Sequence, residues 1–171
     1  MGVKARIAAG TLVLASSTLM AFLGTWEGDG QNHVYPDQLA DGLPTVCKGI
    51  TPHTSPYPLV VGDYWSEERC EEVERMVVSK GQLQLADCLT NSNITQNTFD
   101  ALSSHSHNFG VPSTCASRAV ALINLGRIAE GCQALAWKAD GTPAWAFVGT
   151  RFVRGLHHRR LDEVRLCEAG L

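Results

Sequence analysis

The 171-residue sequence contains no C-x-x-C pair and no cluster of cysteine and histidine at metal-ligand spacing, which removes the usual zinc frameworks. It also lacks an excess of positive charge. With a formal net charge of -3 and a pI of about 6.0, it has no general basic field to hold duplex nucleic acid. Internal repeats and low-complexity stretches are missing too, so solenoid and disordered architectures are excluded. What remains is one globular domain of ordinary size, able to bury a core without a structural metal, with a short terminal segment to spare.

Charge is also absent from one continuous run. Ile7 to Thr25 holds 19 residues without a charged side chain, near the length a helix needs to cross a bilayer core, and Lys4 and Arg6 precede it. That bias places the N-terminus in the cytoplasm and everything after Trp26 on the far side. A cleaved signal peptide and a permanent anchor share the pattern. A releasable anchor fits the composition better, because Gly10, Thr11, Ser16, Ser17 and Gly24 dilute Leu12, Leu14, Leu19 and Leu23 and leave insertion only weakly favourable. The expectation is a transmembrane-type helix over residues 1–25, followed by an exported domain over 26–171.

Six cysteines in an exported chain read as disulfides. Sequence alone does not choose among the many pairings. One set, carried forward as an expectation, joins Cys47 to Cys70, Cys88 to Cys115 and Cys132 to Cys167.

From Glu27 to about Asp63 the chain is rich in Gly, Pro, Asp and Thr with short apolar runs, which predicts hairpins and turns. From Trp65 the texture becomes helical. Ser66 is an N-cap with Glu67 and Glu68 in the first turn, predicting a helix from about Glu67 to Lys80, with the acidic run to Glu74 on a solvated face. Thr95 caps a second helix with Phe99, Leu102, Ser106 and Phe109 on one stripe, stopped by Gly110-Val111-Pro112. Further helices are expected at Ser113 to Asn124, Arg127 to Trp137 and Gly155 to Leu166, with a turn at Asp140-Gly141-Thr142-Pro143. The predicted class is α+β: a small β-hairpin lobe and a mainly helical lobe.

Glycoside hydrolysis needs a carboxylic acid to protonate the leaving oxygen and a second group to activate water on the other face of the sugar. Glu27, Asp37 and Thr45 supply such a set. At the apolar junction Thr25-Trp26-Glu27-Gly28, burial would raise the Glu27 pKa, as a general acid requires. Asp37, in the turn-rich Tyr35-Pro36-Asp37, would stay ionised, and the Thr45 hydroxyl could orient a water. Taken singly each is weak, since an Asp after Pro is ordinarily a turn former.

Their order carries more. Glu27-Gly28, Tyr35-Pro36-Asp37 and Gly42-Leu43-Pro44-Thr45-Val46-Cys47-Lys48-Gly49-Ile50-Thr51 resemble the active-site segment of the phage lysozymes of glycoside hydrolase family 24. Asn108-Phe109-Gly110 is similar to that family's Asn-x-Gly, and Gly155-Leu156-His157-His158-Arg159-Arg160-Leu161-Asp162-Glu163 to its Gly-Leu-x-x-Arg-Arg-x-x-Glu. Within the family, the chain most resembles the lambdoid endolysins with signal-anchor-release N-termini. The resemblance implies a lysozyme-like fold and a muramidase that cuts the β-1,4 bond from N-acetylmuramic acid to N-acetylglucosamine in peptidoglycan, causing host cell lysis. It implies Glu27 as general acid, Asp37 as second carboxylate and Thr45 as water-positioning residue of an inverting reaction, with Asn108 binding substrate. No cofactor or metal is called for. The chain would act as a monomer, tethered to the host inner membrane by its N-terminal segment and then released to the periplasm.

The spacings from Glu27 to Asp37 and from Asp37 to Thr45 exceed the family's usual ones, which makes Asp41 a rival second carboxylate. A lysozyme-like wall-binding protein without turnover is the alternative reading. The cluster Arg151, Arg154, Arg159, Arg160 and Arg165, interspersed with Asp162, Glu163 and Glu168, reads as a salt-linked solvated helix. His105 and His107 face apart on a helix and read as ordinary surface or packed histidines.

Overall fold

The computed structural model describes residues 2–28 and 30–171, and for Leu39 the backbone alone. It is a mixed α+β fold. Two short helices, α1 (Val3–Ala8) and α2 (Ser17–Glu27), lead into an antiparallel hairpin of β1 (Gln31–Asp37) and β2 (Leu43–Cys47). The helical part follows as α3 (Glu67–Leu85), α4 (Gln96–Phe109), α5 (Val111–Cys115), α6 (Arg118–Asn124), α7 (Ile128–Gln133) and α8 (Arg154–Glu168). A second, very short hairpin of β3 (Phe147–Val148) and β4 (Arg151–Phe152) precedes α8.

The N-terminal segment corrects the sequence reading. No helix among the described residues is long and apolar enough to cross a membrane. The uncharged run is broken instead: Gly10 and Ala15 take positive φ values of 70° and 43°, and the Ser16 hydroxyl caps α2 by accepting from Leu19 N. The small polar residues that dilute the run therefore serve turns and caps.

The broken segment then packs on the helical lobe. Val3, Leu12, Leu19 and Leu23 are buried. The backbone between them is tied down by side chains of α3 and α4: Ala15 N donates to Gln82 Oε1 at 2.6 Å, Val13 N to Gln96 Oε1 at 2.8 Å, and the Ser16 hydroxyl to Asp100 at 2.6 Å. Arg6 in turn donates to the carbonyls of Ser92 and Ile94, each at 2.6 Å. Membrane attachment through this segment, and the inner-membrane and periplasmic-release placement that rested on it, fall with the spanning helix.

Elsewhere local chemistry sets the boundaries. Ser66 accepts from Arg69 N and Thr95 from Thr98 N, as their cap positions predict. α3 runs past Lys80 to Leu85 because Gly81 does not stop it and the following turn is anchored by buried Gln82, which also donates to Ser103 at 3.0 Å. Gly110, at φ 84°, ends α4 and starts α5 with Pro112 in the first turn. The helix expected from Ser113 to Asn124 is two pieces, since Ser117 caps α6 by accepting from Val120 N. The main core gathers Leu85, Phe99, Leu102, Ile123 and Leu135 between α3, α4, α6 and α7. A smaller core under the hairpin holds Val34, Val46, Ile50, Trp65 and Val73.

Three disulfides close the fold: Cys47–Cys70 ties the base of the first hairpin to α3, Cys88–Cys115 ties the end of α3 to α5, and Cys132–Cys167 ties α7 to α8. These are the pairs set out from the sequence.

Candidate active site

Glu27 is the last residue of α2, and the chain turns sharply after it. Gly28 takes φ 71°, and Gly30 lies so close to β2 that a Cβ there would meet the Cys47 carbonyl carbon at 2.9 Å and its oxygen at 3.0 Å. Glu27 is therefore fixed between the end of a helix packed through Leu19 and Leu23 and the base of the hairpin. It opens into a cleft of about 540 Å³ walled by α2, the hairpin base at Lys48 to Ile50, α3 and the end of α4.

The Glu27 carboxylate does not sit in the apolar pocket that the junction suggested. Its side chain is 26% exposed, Arg159 Nη1 donates to Oε1 at 2.7 Å, and His107 Nε2 lies 4.0 Å from the same oxygen. Burial holds the His107 imidazole below its ordinary pKa, with Glu27 pulling in the opposite direction.

Behind Glu27 lies a buried ionic network that the sequence reading placed in solvent. Arg151, Arg154 and Arg165 are exposed, but Arg159, Arg160 and Glu163 are buried. Glu163 Oε1 accepts from Ser104 Oγ and from Arg160 Nη2, both at 2.7 Å, and lies 3.6 Å from Arg159 Nε. Burial pushes the Glu163 carboxyl up to about 7 even against Arg160, Ser104 and Arg159, and brings the Arg160 guanidinium down to about 10 against the pull of Glu163. His105, fully buried, bonds Thr114 Oγ1 through Nδ1 at 2.8 Å, and burial beside Arg160 and Arg159 lowers it to about 3, so its ring is neutral. The two facing helices, α4 and α8, thus hold Arg159 from behind and aim it at Glu27.

The other expected site residues lie along the first hairpin. Asp37 pairs with Leu43 and Tyr35 with Thr45. Residues opposite one another, and residues two apart on one strand, share a sheet face, so Asp37 and Thr45 stand on the same face as diagonal neighbours. Thr45 is buried and its hydroxyl donates to Leu43 O at 3.1 Å. A short 3₁₀ turn at Gln38–Ala40 and positive-φ Asp41 and Gly42 take up the extra residues between the strands, and Asp41 sits exposed at that tip. Neither Asp37 nor Thr45 lines the cleft that Glu27 enters.

Asn108 does line it, beside His107. So do Lys48 and Glu74, which sequence reasoning missed. Glu67, Glu68, Glu71 and Glu72 are exposed as predicted for the acidic run, but Glu74 turns inward, half-buried, with Lys48 Nζ 3.8 Å away. The periodicity of the run offered one signal: Glu74 follows buried Cys70 by one helical turn and adjoins buried Val73, which places it at the edge of the inner stripe.

The family model for phage lysozyme matches residues 24–163. Among solved structures, the chain is similar to an endolysin from the Escherichia coli O157:H7 phage FAHEc1, with 25% identity, a TM-score of 0.72, and coverage of 92% of this chain and 94% of that one. It is similar to a mutant of P22 lysozyme at 22% identity and a TM-score of 0.75, covering 91% and 98% of the two chains. The active form of the P1 phage endolysin Lyz shares the fold at 18% identity and a TM-score of 0.70, over 98% of this chain and 92% of that one. A comparison with curated protein sequences finds no match.

Proposed function

The chain belongs to the phage lysozyme family and acts hydrolytically on peptidoglycan, and from that premise we propose that Glu27 is the general acid of an inverting muramidase. The bond cut is the β-1,4 link from N-acetylmuramic acid to N-acetylglucosamine, and the outcome is lysis of the host cell. The observation that carries this reading is the Glu27 carboxylate, open to the cleft and gripped from behind by buried Arg159. Arg159 engages Oε1, and the proton is delivered from Oε2 to the leaving oxygen. The same guanidinium then stabilises the carboxylate that remains.

In this reading Asp37 and Thr45, which lie on the hairpin strands that lead into the cleft wall at Lys48 to Ile50 and not in that wall itself, position the attacking water. Their shared hairpin face supports this assignment over Asp41, which lies in the turn beyond the paired strands. With its proton committed to Leu43 O, the Thr45 oxygen has lone pairs left to accept from the water, which Asp37 deprotonates as it attacks. Asn108 is the candidate for a substrate hydrogen bond from the end of α4.

The test is loss of peptidoglycan turbidity by the oxidised full chain beside its Asp37→Asn and Asp41→Asn variants. The expected result is a fall of about a hundredfold or more in Asp37→Asn and little change in Asp41→Asn. A larger loss in Asp41→Asn transfers the role to Asp41. Wall binding without any turbidity loss in the wild-type protein supports a binding protein instead.

A further inference from the structure

Lys48 occupies a position that the hydrolytic scheme does not use. It follows directly on Cys47, whose disulfide to Cys70 pins that point of the hairpin to α3. Its ammonium projects between three elements: it belongs to the hairpin base, it lies 3.8 Å from Glu74 on α3, and it lies 3.8 Å from where a Cβ on Gly24 of α2 would be. Gly24 precedes Glu27 by three residues on the same helix, so the ammonium lies against α2 about one helical turn before the Glu27 backbone, and both residues line the same cleft.

The pairing with Glu74 leaves this cation available. At 3.8 Å the two groups are near the outer limit of an ion pair, and the Lys48 side chain is 30% exposed to the cleft while that of Glu74 is 15% exposed. Desolvation raises the Glu74 pKa, against the pull of both the Lys48 charge and a hydrogen bond from the Lys48 backbone. Lys80 adds a second, exposed cation to the same cleft. Of the anions facing the cleft, Glu27 is held closely by Arg159 at 2.7 Å, whereas Glu74 is met by the Lys48 ammonium only at 3.8 Å.

The two alternating sugars of the polymer differ in one group: the muramoyl unit carries a 3-O-lactyl ether, extended by a peptide whose carboxylates are anionic. That ether sits on the sugar whose glycosidic oxygen Glu27 protonates, and so within reach of a cation on the same cleft wall. We infer that Lys48 is a specificity-determining residue that selects the muramoyl unit by receiving a carboxylate of its lactyl-peptide substituent, with Glu74 holding the ammonium in place when the cleft is empty. The inference rests on the assignment of Glu27 to the acid role.

Binding separates the two. The Glu27→Gln full chain is titrated calorimetrically with three ligands: a chitin oligosaccharide, which has no carboxylate, a muramoyl oligosaccharide with a free lactyl group, and the same saccharide bearing its peptide. The expected result is that Lys48→Met lowers affinity for one or both muramoyl ligands by about tenfold or more, the loss of a charge-assisted hydrogen bond, and leaves the chitin ligand unchanged. Lys48→Arg restores most of the preference, and Glu74→Gln keeps it. Whichever muramoyl ligand shows the loss identifies the source of the carboxylate. Equal weakening toward all three ligands by Lys48→Met, no weakening at all, or a Glu74→Gln loss as large as that of Lys48→Met overturns the inference. Chitin binding without muramoyl discrimination defeats it while leaving the Glu27 reading intact. Turnover by the Glu27→Gln protein defeats the Glu27 reading instead.

Discussion

If residues 3–27 are part of the folded body, truncating their buried side chains must cost what core truncation costs anywhere. Leu12 and Leu19 are 1% and 0% exposed, whereas Val13 between them is 53% exposed. Removing a buried leucine side chain to alanine costs about 2–5 kcal/mol in lost transfer free energy and residual cavity. Native domains are stable by only about 5–15 kcal/mol, so either change is a large fraction of the total. Val13→Ala, at an exposed position, should stay within about 0.5 kcal/mol.

Urea unfolding of the oxidised protein measures the difference. With a slope of about 1–3 kcal/mol per molar, the midpoint should fall by about 1–2 M for Leu12→Ala and Leu19→Ala and barely move for Val13→Ala. α2 ends at Glu27, and Leu23 is buried one turn earlier, so Leu23→Ala should lower hydrolytic activity along with stability. Equal midpoints for all four proteins would show that the segment is not packed as described, and would also remove the support that fixes Glu27.

Two further outcomes follow from the helical lobe. Because burial raises the Glu163 carboxyl from 4.5 to about 7, the folded protein keeps a proton there that the unfolded chain has released; its contribution is fully present below pH 4.5 and is lost as pH rises through about 7. Glu163→Gln, which keeps a neutral acceptor for Ser104 and Arg160, should flatten this slope; an unchanged slope in thermal melts from pH 4.5 to 7.5 would contradict the burial of an ionisable Glu163. At Gly131 a Cβ would come within 2.4 Å of Ile123 Cγ1 and 2.9 Å of Ala119 O, so Gly131→Ala should destabilise by about 1–3 kcal/mol despite better helix propensity, whereas a gain in melting temperature would refute the close approach of α6 and α7.

Local rules made much of this fold legible. The caps at Ser66 and Thr95 and the stop at Gly110 were readable because each acts through its own backbone within one turn. The order of Glu27, Asp37 and Thr45 pointed to a candidate set, of which Glu27 opens into the cleft. What was hidden depends on partners far away in sequence. The run Ile7 to Thr25 has a length and polarity compatible with a bilayer, and only Gln82, Gln96 and Asp100, more than sixty residues on, reveal that its polar backbone is satisfied by protein.

The same holds for the charges of α8. Helical spacing of Arg159, Arg160 and Glu163 fits a solvated salt-linked face equally well, and Ser104 and Glu27 decide otherwise. Lys48, Glu74 and His107 come from three separate elements, so their meeting in one cleft has no signature in sequence spacing.

The most direct test of the account is the initial rate of peptidoglycan hydrolysis by Glu27→Gln, measured beside its thermal unfolding. The account predicts a loss of about a hundredfold to ten-thousandfold in rate, because a positioned general acid is removed, with the fold intact. A folded Glu27→Gln protein that keeps more than about a tenth of the wild-type rate would contradict the assignment of Glu27 as the acid.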